Sequence, residues 1–432
     1  MVDSVNHSQP NAVDGVTPVD LSVSIEDEFN EFDACAEKLD KLMMGMETIE
    51  RLDTFIQSNY DTASPEMLAY AVEKFGLTDV VSTEDISDSS RQVWERTKLE
   101  IKRANSDLYG YAKVLMAGID RTVERITMLY EMASNLNGTK PFKSEIELRK
   151  AKKFNINGEF KPLDIRPVLE QTQNTIDFYD KVFMPYLTAI DKTFNNLTLD
   201  QEWTDDSTIR FEIFNAKRWM KGAIEVDQDD RFRVNATLFR SELTQGNKAL
   251  YFSGPSETKT EQLKDWQFMV NSIRDFRFKY YTVPEQKPLN EQDNKVEVSN
   301  INAVRQRLGV LLGLAKRLQS RKGYDQKISA QLRKLEQSAE KIRVKAGQLR
   351  QSQGRKKPGA EERDEARPSV SNVVNDLTMI LNNVMRMIID YNNTLAGMIR
   401  LIAGLAMVAD LELKAYQAPL RKPTEEEQKR LG

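Results

Sequence analysis

The apolar pattern between residues 370 and 409 constrains this chain more than any other feature. Val370, Val374, Leu377, Leu381, Val384, Ile388, Tyr391, Leu395, Met398, Ile402, Leu405 and Ala409 recur at alternating steps of four and three. A repeat averaging about 3.5 residues keeps one stripe of an α-helix facing a partner along its whole length. Such a helix needs a second apolar helix, and the preceding segment supplies one. Ile301, Val304, Leu308, Leu311, Ala315 and Leu318 step by three and four, and the phase slips at Lys322-Gly323. Ile328, Leu332, Leu335, Ala339, Ile342, Ala346 and Leu349 then resume it. The two arms hold about 50 and 48 residues, roughly 70–75 Å each at 1.5 Å per residue. Between them, Gly354 to Pro368 reads as a charged turn. The spacing therefore predicts a long antiparallel, coiled-coil-like helical hairpin over 299–416, followed by a flexible tail, 417–432.

The rest of the chain reads differently. Residues 1–25 have no periodicity and predict a disordered acidic arm. Residues 26–200 read as a helical domain. Phe29, Phe32, Ala36, Leu39, Met43 and Met46 open it, and Ser64-Pro65-Glu66 is a helix-start signal. A long helix is expected over about 88–135, ended by Asn137-Gly138. Another is expected over about 167–197, where Pro185 predicts a kink or restart. From Trp203 the period falls to two. Ile209, Phe211 and Ile213 alternate with charged residues, as do Phe232, Val234, Ala236 and Leu238, and then Phe276, Phe278 and Tyr280. This predicts a β-rich module over 203–283 with a turn at Asp227–Asp230. A polar linker, 284–298, leads to the hairpin. The fold class is thus α+β, predominantly α.

Charge is segregated along this order. Residues 1–90 hold twenty Asp and Glu against four Lys and Arg, a net of −16; residues 301–357 hold sixteen Lys and Arg against three acids, a net of +13. Such polarity points to self-association or to an anionic partner at one end. Lys316, Arg317, Arg321, Lys322, Lys327, Arg333, Lys334, Lys341, Arg343, Lys345, Arg350, Arg355, Lys356 and Lys357 make the first hairpin arm basic. Two readings fit: the solvated face of a coiled coil, or sequence-independent contact with the phosphates of double-stranded DNA. Aromatic residues are scarce there, which argues against stacking on single strands.

Catalytic chemistry has little to work with. His7 is the one histidine among 432 residues. The folded regions therefore hold no imidazole base or ligand. Cys35 is the one cysteine, so no internal disulfide forms. No metal site or cofactor is nominated. Asp227, Asp229 and Asp230 lack the glycine and terminal glutamate of an EF-hand. Ser253–Thr260 lacks the spaced glycines and Gly-Lys-Ser/Thr core of a phosphate loop. The methionines read as core filler. The N-terminus shows no signal peptide. The most apolar stretch, Leu395–Ala409, is interrupted by Arg400 and reads as a buried helix, not a membrane span. These features point to a non-enzymatic protein. Its alternatives are a helical scaffold or adaptor binding protein partners through its seams, and an enzyme using carboxylates of the β module.

The sequence also carries a family resemblance. Phe29-Asn-Glu-Phe-Asp-Ala-Cys-Ala-Glu-Lys-Leu39, the run to Leu52-Asp-Thr-Phe55, and Ser64-Pro-Glu-Met-Leu-Ala-Tyr-Ala-Val-Glu73 resemble the start of internal head proteins of large and giant tailed bacteriophages. Ile146-Glu-Leu-Arg-Lys-Ala-Lys-Lys-Phe-Asn-Ile-Asn-Gly158 is similar to a block that follows that family's long helix. The resemblance spans roughly residues 26–416. It implies a structural virion protein inside the capsid, packaged with the genome and other head proteins, and assembled in the cytoplasm of the infected bacterium. It also implies trimming by a prohead protease at motifs ending in glutamate. Ser24-Ile25-Glu26, where the arm meets the first helix, resembles such a motif. Ser64-Pro-Glu66, Ser82-Thr-Glu84 and Ser338-Ala-Glu340 match it too.

Overall fold

A computed structural model describes residues 34, 89–136, 140–148, 151–196, 216–227, 236–254, 270, 273–283, 294–321, 323–353 and 370–417. The expected arm, the first two helices, Trp203, Trp266, the 209–213 strand, most of the turn at 227–230, the charged turn and the tail lie outside them.

In chain order, α1 is Ser89–Asn135 and β1 is Glu145–Glu147. A 3₁₀ turn at Ala151–Phe154 leads to β2 (Asn155–Ile156) and β3 (Glu159–Phe160). Then come α2 (Arg166–Phe178), a π turn (Tyr179–Phe183), α3 (Met184–Asn196) and a short α4 (Ala216–Trp219). Strands β4 (Ile224–Val226), β5 (Thr237–Arg240), β6 (Lys248–Gly254), β7 (Arg277–Thr282) and β8 (Lys295–Glu297) follow. The chain ends its described course with α5 (Ile301–Gln319), α6 (Tyr324–Gln353) and α7 (Val370–Ala415). The fold is α+β and predominantly helical, as the periodicities predict.

Local chemistry explains the breaks. Pro185 has no N–H and its ring crowds the preceding turn, so the helix expected to kink or restart there widens into the π turn just before it and resumes as α3. The phase slip at 322–323 is a true break: α5 ends at Gln319, and Gly323 takes φ +88° before α6 begins. At the other end of α5 the Asn300 side chain caps the Ala303 N–H at 2.9 Å. The β2–β3 hairpin turns on Asn157 and Gly158, both at positive φ, the Asn-Gly signature of a two-residue turn.

Strands β4 to β7 form one antiparallel meander in that order. Phe252 pairs with Phe278 and Leu250 with Tyr280, as the 276–280 alternation requires. Five strands depart from the sequence reading, and β1, β2 and β3 do so by lying within 26–200, the stretch expected to be helical. β6, with Ala249 to Phe252 all buried, has no alternation because both of its faces are covered. Lys295–Glu297, inside the expected linker, pairs with β1.

The sheet does not stand apart from the helices. Phe178 at the end of α2 stacks on Phe278 with ring centroids 3.6 Å apart, and also meets Phe183, Trp219, Phe252, Phe276 and Tyr391. This aromatic hub belongs to one continuous core that runs from Tyr111 to Tyr416.

Helix α7 is the spine of that core. It packs on α1, α5, α6, α2, β1 and β7. Its seam residues Leu377, Leu381, Val384, Ile388, Leu395, Met398 and Ile402 are buried, but so are Ile380, Met385, Ile389, Ala396 and Ile399 on its other sides. A two-helix coiled coil would leave those exposed. The antiparallel sense is nevertheless present: Ser299 and Arg307 meet Glu412, whereas Tyr324 meets Asn392. Met379–Ala415 is long enough to span a membrane and contains an 18-residue window of mean hydropathy 1.7, yet 61 % of that window is buried inside the protein. Its ionised groups find partners inside: Asp390 meets Lys279 at 3.4 Å and Glu412 meets Arg307.

Candidate nucleic-acid interface

Helix α6 has two unlike faces. Tyr324, Ile328, Leu332, Leu335, Ala339 and Ile342 are buried against α3 and α7. Lys327, Arg333, Lys334, Lys341 and Lys345 are exposed on the other side. Lys327, Lys334 and Lys341 are seven residues apart, which returns a helix nearly to the same angle, and Lys345 completes the row. From Lys327 to Lys345 the row spans about 27 Å at 1.5 Å per residue. Among the described residues no carboxylate pairs with any of these five cations.

The other cations singled out from sequence divide into three groups. Lys316 is exposed at the C-terminal end of α5, where a positive charge complements the helix dipole. Arg317, Arg321 and Arg343 are already engaged. Arg317 donates to Gln173 on α2. Arg321 grips Asp180 on the π turn through two parallel bonds of 2.5 and 2.6 Å. It also lies 5.8 Å from the Tyr179 ring centroid, and the hydrogen bonds to Asp180 raise its pKa above the ordinary value. Arg343 makes bonds of 3.2 and 2.8 Å to Glu340 one turn back. Arg317 and Arg321 fasten the basic arm to the body, whereas the Arg343 pair stays within α6. Lys322, Arg355, Lys356 and Lys357 lie outside the described residues, as do Ser24, Ile25 and Glu26. Arg350 lies on α6, but its side chain is not among those described.

Helix α3 packs beside this face, running parallel to α6. Arg321 meets Asp180, Gln331 donates to the Leu187 carbonyl at 3.4 Å, and Ser338 meets Asp191 and Asn195 at 3.1 Å. Lys192 on α3 is exposed next to that seam. Sequence reading did not single it out, because nothing in the local pattern of α3 announces its neighbour 140 residues away.

Among the described residues no group of three or more His, Cys, Asp and Glu is placed to hold a metal ion. Burial pushes the phenols of Tyr186, Tyr280 and Tyr391 up, away from ionisation.

A shared aromatic and aliphatic core, arginines spent on internal ties and a cationic outer ridge describe a structural protein built to pack and to be packed against. More closely, the chain belongs to the phiKZ-like phage internal head proteins, whose family model matches residues 24–411. It is therefore a structural virion protein of the capsid interior, associated with other components of the head. No curated protein and no solved structure matches the chain.

Proposed function

We propose that this protein lies against packaged double-stranded DNA inside the head and holds it without reading sequence. The observation that carries the reading is the exposed row Lys327, Arg333, Lys334, Lys341 and Lys345 on α6. Lysines presented as point charges on a rigid helix suit phosphates, and no described aromatic side chain lines the ridge to stack on bases. A row of about 27 Å covers about eight base-pair steps of duplex axis at 3.4 Å each.

Binding to random-sequence duplex should follow counterion release, with a slope of log K on log salt near −4.5 for about five contacts. The variant Lys334→Glu/Lys341→Glu/Lys345→Glu should lose most of that affinity and flatten the slope by about 3. Fluorescence anisotropy across a salt series measures both. Binding that ignores salt, or that survives the triple variant, overturns the proposal and favours a scaffold that engages protein partners.

The same reading includes maturation: a prohead protease cleaves after Glu26, within Ser24-Ile25-Glu26, and removes the arm. The start of the family match at residue 24 supports this, since the preceding residues lie outside the shared part. Intact-mass measurement of the protein from mature virions should give a chain beginning at Asp27. Finding Met1–Glu26 still attached refutes the cut.

A further inference from the structure

We infer that the DNA track is not α6 alone but the seam between α3 and α6, with Lys192 as the cation of a second ridge. This rests on the reading of α6 as a phosphate-contacting face.

The parallel packing fixes where Lys192 stands. Asp191 accepts a hydrogen bond from Ser338 Oγ at 3.1 Å. The next residue, Lys192, is therefore level with Ser338, which lies between Lys334 and Lys341. Those two lysines are about 10.5 Å apart along the axis, a gap in the α6 row. Packed helices lie about 8–10 Å apart, so Lys192 faces the gap from one helix width away.

The exposure pattern puts all three cations on one side. On α6, Lys334 and Lys341 are rotated about 40° and 60° from Ser338. Both are exposed, whereas Leu335 and Ile342 across the seam are buried. On α3, Lys192 is exposed, and Leu187 and Ile190 are buried. The exposed edges of the two helices thus border the same outward furrow. Asp191 keeps its negative charge, but Ser338 and Asn195 Nδ2, the latter at 3.2 Å, hold its carboxylate at the seam, and the three lysines outnumber it. Among the described residues no carboxylate pairs with Lys192. The furrow presents a triangle of cations where a single helix would present a line. It suits a duplex backbone, whose charge is spread in width as well as length.

The test is Lys192→Gln in the full-length protein, beside Lys334→Gln and a control, Lys295→Gln, exposed on β8 and outside the furrow. Each phosphate contact is worth about eightfold in affinity at about 0.1 M salt and about 0.9 in the salt slope. Lys192→Gln should show both losses for random duplex, Lys334→Gln the same, and Lys295→Gln neither, with unchanged circular dichroism throughout. If Lys334→Gln weakens binding and Lys192→Gln does not, the second ridge is refuted while the α6 reading stands. If neither weakens it, both fall.

Discussion

The buried pair Arg307–Glu412 allows the sharpest test of how the core is closed. The Glu412 side chain is 0 % exposed and that of Arg307 15 %. Glu412 takes the Ser299 N–H at 3.0 Å and the Arg307 guanidinium. Arg307 also donates to Ser299 Oγ at 3.1 Å, and Tyr416 closes over the Ser299 carbonyl at 2.6 Å. Replacing Arg307 with Leu strands a buried carboxylate on one N–H. Breaking a buried pair costs about 3–5 kcal/mol, and the partial exposure of Arg307 puts the expected loss near the low end, about 3 kcal/mol. Glu412→Leu should cost about as much, because it leaves the guanidinium unpaired and the Ser299 N–H without an acceptor. The double variant should lose only about 1–2 kcal/mol, since an apolar pair replaces the ions and only the Ser299 N–H remains unsatisfied. Urea unfolding followed by far-UV circular dichroism gives all three values and hence the coupling. Losses that simply add in the double variant would show that the two side chains do not act as a pair.

Two further outcomes follow from close contacts and burial. A Cβ at Gly397 would fall 2.6 Å from Tyr280 Cδ1, and that ring is held at its hydroxyl by Thr244, whereas a Cβ at Gly404 meets nothing within 4 Å. Gly397→Ala should therefore cost about 1–3 kcal/mol through overpacking, while Gly404→Ala should gain up to about 1 kcal/mol from helix propensity; matching shifts in thermal midpoint for the two would contradict this. Tyr186, Tyr280 and Tyr391 have phenols raised above their ordinary value of 10.0. Their contribution to stability is complete below pH 10 and is lost as pH rises through the higher folded values, because the unfolded chain ionises first. Phenolate absorbance from these groups should appear together with loss of helix signal in an alkaline titration, and ionisation with the fold intact would speak against their burial.

The sequence made some of this architecture legible for a physical reason. Apolar periodicity reports which stripe of a helix is buried, so α1, α5, α6 and α7 could be placed to within a few residues. It does not report how many partners surround a helix. Ile380, Met385, Ile389 and Ile399 lie off the seam and are as buried as the seam itself. That is the mark of an interior helix rather than one arm of a hairpin. Strand β6 escaped because a doubly covered strand lacks the alternation that identifies one. At the candidate interface, the excess of cations was visible. What separates Arg321 from Lys334 was not: Asp180 stands 141 residues away from Arg321 in sequence. Only folding shows which charges are spent on holding the molecule together and which remain for a ligand.

The position of α7 in the chain has a consequence for synthesis. Every element that this helix packs against precedes it, and ties such as Phe142 N–H to the Ala415 carbonyl, 2.8 Å long, span most of the described chain. A ribosome therefore delivers all of the walls before it delivers the spine. Until α7 emerges, α1, α5 and α6 pack on other helices but lack the one they all share, and contacts of such long sequence separation form slowly. Nascent chains of this protein should be a substrate for chaperones until about residue 415 clears the exit tunnel, and truncation within α7 should yield aggregation rather than a smaller folded core.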